Sequence, residues 1–466
     1  MEKEKKLIKN TALYMVGNIT SKIIAFLLVP LYTHYLNTSE MGTFDLILNA
    51  ITLIIPLITF SSVTSIFRFI IDDNAYTDKI LTNGLFITFL GTAISLIPFC
   101  IFAAFVQINY FSLIIILLIC MMLDNTWKYV ARATKNNFCY VLSGVIQTFI
   151  TGIAAITFII GFRLGIKGIL LSYALAPLAS FIFMEYKLKI RHRIKFKLIN
   201  KNTILEMLKY SVPLIPNDVT WWLIQSANRF IIKYFLGVEA NGIYAVSTKF
   251  PSLFMTFNSL FNMAWTESAI EEYESNGKDD YYTKVFNQLI KLQFTVLFII
   301  LPVIKYLFKF MLNISYITAL DYIPFLMLGT IFQAFSLFYG TGYLSSKETK
   351  GAFTTTALSA VSNILILVLT IKFLGLHAVA IASAVSYAIL WLVRAYGTKK
   401  YFNIKTNFRM VLFFVFISLV YIFAYYINNM AIDITMFILA LLIGFYFNKE
   451  AIFKLMGYLK LRIKRV

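Results

Sequence analysis

Fourteen apolar runs, each long enough to cross a lipid bilayer, follow one another along this chain with only short connectors between them. A span needs roughly 20 apolar residues to cover the hydrocarbon. The runs predict helices near 11–35, 43–67, 80–106, 110–131, 138–160, 167–186 and 210–235. A second series follows at 241–268, 287–308, 316–345, 352–372, 376–396, 410–427 and 431–448. The expected fold class is therefore all-α: a polytopic membrane protein of about 14 transmembrane helices. Composition agrees, since 59% of residues are hydrophobic, 14% are charged and the mean hydropathy is +0.77. Soluble domains stay near 45–50% apolar and about 25% charged.

The net charge of +20 raises the question of nucleic acid. A phosphate-binding surface would gather its cations with aromatics on folded domains. Here they fall in the short connectors, which fits membrane topology and gives no role to nucleic acid. With the N-terminus in the cytoplasm, 33 of the 42 Lys and Arg lie on the inner side. Only Arg163, Lys167, Lys305, Lys309 and Lys372 fall on the outer side, and four more lie within spans. By the positive-inside rule both termini are cytoplasmic. The N-terminal segment Met1–Asn10 is basic and precedes a long apolar run without a small-residue cleavage site, so it reads as part of a retained first helix. The largest basic block, Lys187–Lys201, joins helices six and seven. It reads as a topogenic loop, with contact to anionic lipid headgroups as a further role.

Several chemistries are absent. Cys100, Cys120 and Cys139 form no CxxC pair, and His34, His192 and His377 are scattered, so no metal site is expected. There is no GxxxxGK[ST] run, no HExxH and no GxSxG; Gly340-Thr-Gly342 lacks the P-loop context. The outer loops are about ten residues, too short for the outer domain of a sugar polymerase. An enzyme is not expected, nor a cofactor; transport would draw on an H+ or Na+ gradient, the membrane potential or substrate flux.

The halves of the chain resemble each other. Leu36, Gly42 and Phe44 recur as Leu236, Gly242 and Tyr244, and Leu164-Gly165 recurs as Leu374-Gly375. Six spans per repeat give parallel repeats, a transporter plan with its pathway at the repeat interface. The expected divisions are 1–200, a six-helix lobe with its basic linker; 201–400, a second lobe; and 401–466, an extra helix pair with a basic tail. The offset grows from 200 to 210 between the two matches, and the loop Glu271–Lys284 is a plausible place for the insertion.

Ionisable groups at mid-bilayer cost about 2.5–3.5 kcal/mol on insertion scales and face the bundle interior or a cavity. Helical phase therefore carries information. Asp218, Trp222, Gln225 and Arg229 share one face of the seventh helix, after Pro213 and Pro216. Lys249, Thr256 and Glu267 share a face of the eighth. Tyr14, Asn18 and Lys22 make a stripe on the first, and Asp45, Asn49, Thr52, Pro56 and Thr59 another on the second. Together the four stripes describe a charge-lined cavity; mutual structural pairing is the alternative for any single residue. Trp222 suits sugar stacking or plain packing. Asp124 and Lys128, four residues apart near the inner end of helix four, read equally as a solvated helix pair.

Two stretches, Lys6–Gly42 and Tyr210–Glu267, resemble the Wzx-type polysaccharide flippases of the multidrug/oligosaccharidyl-lipid/polysaccharide exporter superfamily. The second includes Asn228-Arg229, where that family places an acidic or amide residue before an Arg. The resemblance implies two six-helix lobes in a V-shaped, MATE-like arrangement. Its cationic cavity would take an undecaprenyl-pyrophosphate-linked oligosaccharide for O-antigen, capsule or teichoic-type polymers. On that reading Lys22, Arg229 and Lys249 hold the substrate, while Asp45, Asp218 or Glu267 carries the coupling ion. Asn18, Asn49, Trp222, Gln225 and Thr256 line the cavity. Membrane lipids, a polysaccharide polymerase and chain-length machinery are the expected partners. Fourteen spans also suit a lipid II flippase, and a drug/cation antiporter of the same superfamily is a third reading.

Overall fold

The computed structural model describes residues 20–72, 76–105, 108–273, 275–346 and 349–463. The described residues form helices and no strands, as long apolar runs require when every backbone N–H must find a partner within its own segment. Eleven of the helical stretches are long and apolar enough to cross a bilayer. The protein is thus an all-α, multi-pass membrane protein. The first expected span begins outside the described residues, the second and eighth are each broken into two helices, and the seventh is a continuous helix that carries several polar residues and follows a 3₁₀ turn at Val212–Leu214. The chain divides into two compact units, Met1–Ala245 and Val246–Val466.

In the first unit, residues 20–27 are helical and lead into α1 (Val29–Tyr35). Asn37 then caps α2 (Thr38–Ile58): its Oδ1 accepts from Glu40 N at 2.8 Å, and Glu40 Oε2 accepts from Asn37 N at 3.0 Å. This reciprocal cap explains why the loop motif carries Asn37 and Glu40. The expected span 43–67 is not continuous. The helix breaks at 59–61, where Phe60 and Ser61 take φ of 53° and 47°, and resumes as α3 (Ser62–Asp72). Next come α4 (Thr77–Phe105), α5 (Phe111–Ala133) and α6 (Asn137–Ala155), the last ending in a π-helical turn, Ile156–Gly161. They are followed by α7 (Gly165–Leu188), α8 (Lys201–Ser211) and α9 (Ile215–Leu236). A buried cluster that includes Ile66, Leu81, Trp127, Met184, Ile190 and Met207 joins α3, α4, α5, α7, α8 and the linker after α7.

Helix α10 (Val238–Ser247) ends at a break at Thr248, so the expected span 241–268 is also two helices. Beyond it lie α11 (Lys249–Glu271), α12 (Lys278–Met311), a 3₁₀ segment (Ile314–Tyr322) and α13 (Ile323–Ser345). The chain continues through α14 (Thr349–Leu374), α15 (Leu376–Gly397), α16 (Phe408–Tyr426) and α17 (Met430–Ile463). Phe286, Phe294, Phe335, Trp391 and Phe414 form the aromatic centre of the second unit, with Phe294 stacked on Phe414 at 5.2 Å. Lys305 on α12 and Asp433 on α17 pair at 3.1 Å, and Tyr306 donates to the same carboxylate at 2.8 Å. The last helix is thereby tied to α12 by a buried ion pair.

The internal repeat is visible in both packing and backbone. Helices α5, α6 and α7 pack together in the first unit as α13, α14 and α15 do in the second. The repeat glycines that open α7 and α15 share a left-handed backbone, with φ of 52° at Gly165 and 56° at Gly375. Each unit also folds the segment after its three-helix bundle onto the start of an earlier helix through a threonine and an asparagine, of which the threonines hold equivalent places in the two helices. Thr82 Oγ1 accepts from Lys195 N, and Asn83 Oδ1 accepts from Asn200 N. In the second unit Thr283 Oγ1 accepts from Lys405 N, and Asn287 Oδ1 accepts from Asn407 N. Thr82 and Thr283 still stand 201 apart, whereas α5 and α13 start 212 apart. The extra residues therefore lie in the longer α12 and the 3₁₀ segment after it, and not in the loop Glu271–Lys284.

Within the first unit the repeat glycines Gly42 and Gly242 meet. A Cβ built on Gly242 would lie 1.9 Å from Thr38 O and 3.1 Å from Gly42 N, and one on Gly42 would lie 2.0 Å from Val238 O. Backbone touches backbone, so any side chain forces the helices apart. Gly242→Ala is expected to destabilise the protein by about 1–3 kcal/mol, the usual cost of overpacking. Thermal unfolding in detergent should show a lowered Tm, while Gly277→Ala, whose Cβ would meet nothing within 4 Å, should leave it unchanged.

Candidate functional site

The glycine crossing brings the start of α2 against α10, and α9 runs beside α2. Three polar stretches thereby converge. Arg229 Nε on α9 donates to Asp45 Oδ2 on α2 at 2.8 Å, with both side chains largely buried. Arg229 Nη1 donates to the Gln225 carbonyl at 2.8 Å, and its guanidinium lies 5.7 Å from the centre of the Tyr244 ring. Asn241 Nδ2 donates to Gly42 O at 3.0 Å and approaches Asp45 Oδ2 at 3.4 Å. A cation held by one carboxylate, one carbonyl and one aromatic face is compensated but keeps donor capacity, since a guanidinium has five N–H groups.

One turn further along α2, Asn49 gathers the rest of the α9 face. Trp222 Nε1 donates to Asn49 O at 2.7 Å, and Ser226 Oγ donates to Asn49 Oδ1 at 2.8 Å. The indole also lies 5.3 Å from the Phe230 ring, so Trp222 serves packing between α2 and α9 in this arrangement. Further on, Ser61 Oγ donates to Asp218 Oδ2 at 2.7 Å from within the break between α2 and α3. Interrupted helices whose backbone turns beside a carboxylate are the membrane setting in which ions and anionic groups are handled.

Among the site residues expected from sequence, Asp45, Asn49, Asp218, Trp222, Gln225 and Arg229 thus come together on α2 and α9. Gln225 takes part through its carbonyl; its side chain is exposed. Lys22 is exposed on the helical stretch 20–27. Lys249 and Thr256 lie on α11 in the second unit, where Thr256 Oγ1 donates to Ser252 O at 2.9 Å. Asn18 lies outside the described residues, as does the side chain of Glu267. Sequence reasoning missed Ser61, Ser226, Asn241 and Tyr244. Asn241 stands beside the repeat glycine and Tyr244 is itself a repeat residue, so both were within reach; Ser61 becomes polar machinery only because the helix breaks there.

Four other charges sit differently from expectation. Asp124 and Lys128 are not a solvated helix pair. Asp124 is buried, accepts from Lys128 at 2.6 Å and from Ser180 at 2.5 Å, and Lys128 also reaches Gln147. The pair therefore ties α5 to α6 and α7. Arg394, counted with the inner-side charges, is buried in the second unit. It donates to Thr355, Thr356 and the Ser336 carbonyl. Lys305 faces Asp433, not an outer loop.

Polar faces thus converge on broken helices within an all-α membrane bundle. The chain belongs to the polysaccharide biosynthesis protein family, whose model matches residues 7–270. No curated protein sequence matches it. Its fold is that of a lipid II flippase, MurJ, in an inward closed conformation, with a TM-score of 0.72 at 16% identity. That match covers 95% of this chain and 100% of the flippase. A multidrug resistance MATE family transporter of the MOP superfamily, in an inward-facing conformation, matches with a TM-score of 0.65 at 13% identity over 84% of this chain and 95% of its own. A variant of the Vibrio cholerae MATE transporter VcmN gives 0.56 at 14% over 85% and 96%. The chain thus shares its fold with this flippase and these MATE transporters.

The Asp45–Arg229 pair sets a direct expectation. Removing one partner of a largely buried pair leaves an uncompensated charge, so Asp45→Ala should cost about 3–5 kcal/mol. The Asp45→Ala/Arg229→Ala double variant should recover part of this, with a coupling of about 1–3 kcal/mol in a double-mutant cycle of unfolding free energies. Strictly additive losses would mean that the two side chains do not interact.

Proposed function

We propose that this protein is a flippase that carries an undecaprenyl-pyrophosphate-linked oligosaccharide from the cytoplasmic to the outer leaflet for assembly of a surface polysaccharide. The observation that carries this reading is the Asp45–Arg229 pair within the span region, beside broken helices, in a member of the polysaccharide biosynthesis protein family. A guanidinium binds phosphate oxygens through its planar fork of donors, so an incoming pyrophosphate competes with Asp45 for Arg229. Asp45, once released, is a carboxylate without its counter-charge at low dielectric and takes up H+ or Na+ in exchange. Substrate and coupling ion then occupy opposite partners of one pair at the same time, so each favours the binding of the other and transport is linked to the ion gradient. Lys22 and Lys249 supply further positive charge along the path, Asp218 and Glu267 are further candidates for the ion, and Asn18, Asn49, Trp222, Gln225 and Thr256 line it.

In this reading the protein sits in a bacterial inner membrane with both termini in the cytoplasm, and hands its product to a polymerase and chain-length machinery. The lobes are 1–200 and 201–400, with 401–466 as an added helix pair. Lipid II is the second substrate considered, because the match to the lipid II flippase covers nearly all of this chain and the whole of the other.

Deletion of the gene separates the readings. Viable cells that lose a surface polymer and accumulate the undecaprenyl-pyrophosphate oligosaccharide on the cytoplasmic face are the expected result. An Arg229→Ala allele should reproduce it although the protein reaches the membrane. Lethality with accumulating lipid II would move the substrate to the peptidoglycan precursor. Normal glycans with heightened sensitivity to cationic drugs would overturn the flippase reading.

A further inference from the structure

We infer that the two docked straps, residues 189–200 after α7 and 398–407 after α15, are binding surfaces for the headgroups of anionic phospholipids. The inference is independent of which cargo is carried.

Each strap follows directly from a membrane span and is held against the first turns of another, so it lies at the level where a bilayer presents its headgroups. In the first strap Asp78, at the start of α4, receives Arg193 at 2.8 Å and Lys195 at 3.1 Å. Glu185 accepts from Arg191 N and from Trp127, closing the turn out of α7. Ile190 is buried in the core cluster and Ile194 packs on it. In the second strap Asp279 accepts from Asn403 N at 3.0 Å, and buried Phe402 meets the Tyr282 ring at 5.1 Å. Both straps therefore have an inner side that is fixed by specific bonds.

Their outer sides share a chemistry that internal packing does not explain. Lys187, Lys189, Arg191, His192 and Lys197 are exposed around the first strap, and Lys399, Lys400, Lys405 and Arg409 around the second. Among these cations stand exposed aromatics: Tyr186 at 75%, Phe196 at 80% and Tyr396 at 77%. Tyr186 and Tyr396 are 210 residues apart, the offset of the Leu164/Leu374 repeat, and each carries a lysine ammonium over its ring, Lys187 at 5.8 Å and Lys399 at 5.6 Å. A phenylalanine left four-fifths exposed in water is unfavourable, whereas at the headgroup boundary its ring enters the acyl region. Aromatic rings with cations beside them at a span end match the interfacial belt and the juxtamembrane basic cluster that attracts anionic lipid. Charge complementarity thus selects phosphatidylglycerol-type or cardiolipin-type headgroups over zwitterionic ones. Because the straps are pinned to α4 and α12, lipid bound there bears on the helices themselves.

The test uses the full-length protein in detergent and in nanodiscs. Thermal unfolding is followed with added dioleoyl phosphatidylglycerol or dioleoyl phosphatidylcholine, and co-purifying lipids are quantified. The wild type should show a larger Tm rise with phosphatidylglycerol, diminished at high salt, and should retain that lipid selectively. A variant with Lys187→Gln, Lys189→Gln, Arg191→Gln, Lys197→Gln and Lys399→Gln spares the side chains that bond to Asp78. Its Tm in phosphatidylcholine should match the wild type, while its enrichment of phosphatidylglycerol should fall by about tenfold or more. Phe196→Ser should weaken retention with all charges kept. Equal Tm shifts with the two lipids in the wild type, or undiminished enrichment in the charge variant, would overturn the inference and leave the straps as solvated loops or as a surface for an acidic protein.

Discussion

Everything distinctive about the first unit depends on holding one charge pair, Asp45 with Arg229, away from bulk water. A charge at this depth must be paired or reach a cavity, because the surrounding hydrocarbon offers nothing in exchange for lost hydration. The pair in turn needs α2, α9 and the start of α10 to lie close together, and only the Gly42–Gly242 contact allows that approach. Charge, glycine and helix crossing form one device: backbone proximity makes the polar contacts reachable, and the polar contacts give the close crossing a purpose.

The same logic explains why helices here are broken and not merely kinked. The turn at 59–61 frees backbone groups and places Ser61 on Asp218, and the freed groups are satisfied by local side chains and carbonyls, as when Ser61 N donates to Pro56 O. Irregular backbone at membrane depth is tolerated only where it is buried in protein or lines a cavity. A fully apolar span gains nothing from such a break; a span that handles an ion or a phosphate does. By contrast, Asp124 with Lys128, and Lys305 with Asp433, bind neighbouring helices to one another within regular segments. Their partners are all internal, which marks them as architectural.

Much of this is legible without coordinates, for identifiable reasons. The spans follow from the length of apolar runs, and the α9 stripe follows from helical phase, since residues three, four, seven and eleven apart share a face whatever the neighbours are. The repeat is legible because glycines such as Gly42 and Gly165 answer local geometric needs that recur with the fold. What phase cannot supply is the identity of the facing residue. Phase alone makes Arg229 a ligand-binding cation and Asp45 a separate ion carrier, yet they stand 2.8 Å apart. Likewise Arg394 and Lys305 look like topological charges at span ends, yet Arg394 is buried and Lys305 pairs with the buried Asp433.

The sequence by itself determined that this chain lives in a membrane, that it is helical, that short motifs recur between its halves, and which helices carry charge into the bilayer. Those properties depend on each segment's own composition and period, because a spanning helix satisfies its backbone within itself. Only the tertiary structure decided where the helices break, that Asp45 and Arg229 form one pair, that Asp124, Lys305 and Arg394 are interior, and that the basic linker is a docked strap with a cationic, aromatic outer side. Those are relations between segments far apart in the chain, and they are set by how closely two backbones can approach and by which buried donor finds which acceptor.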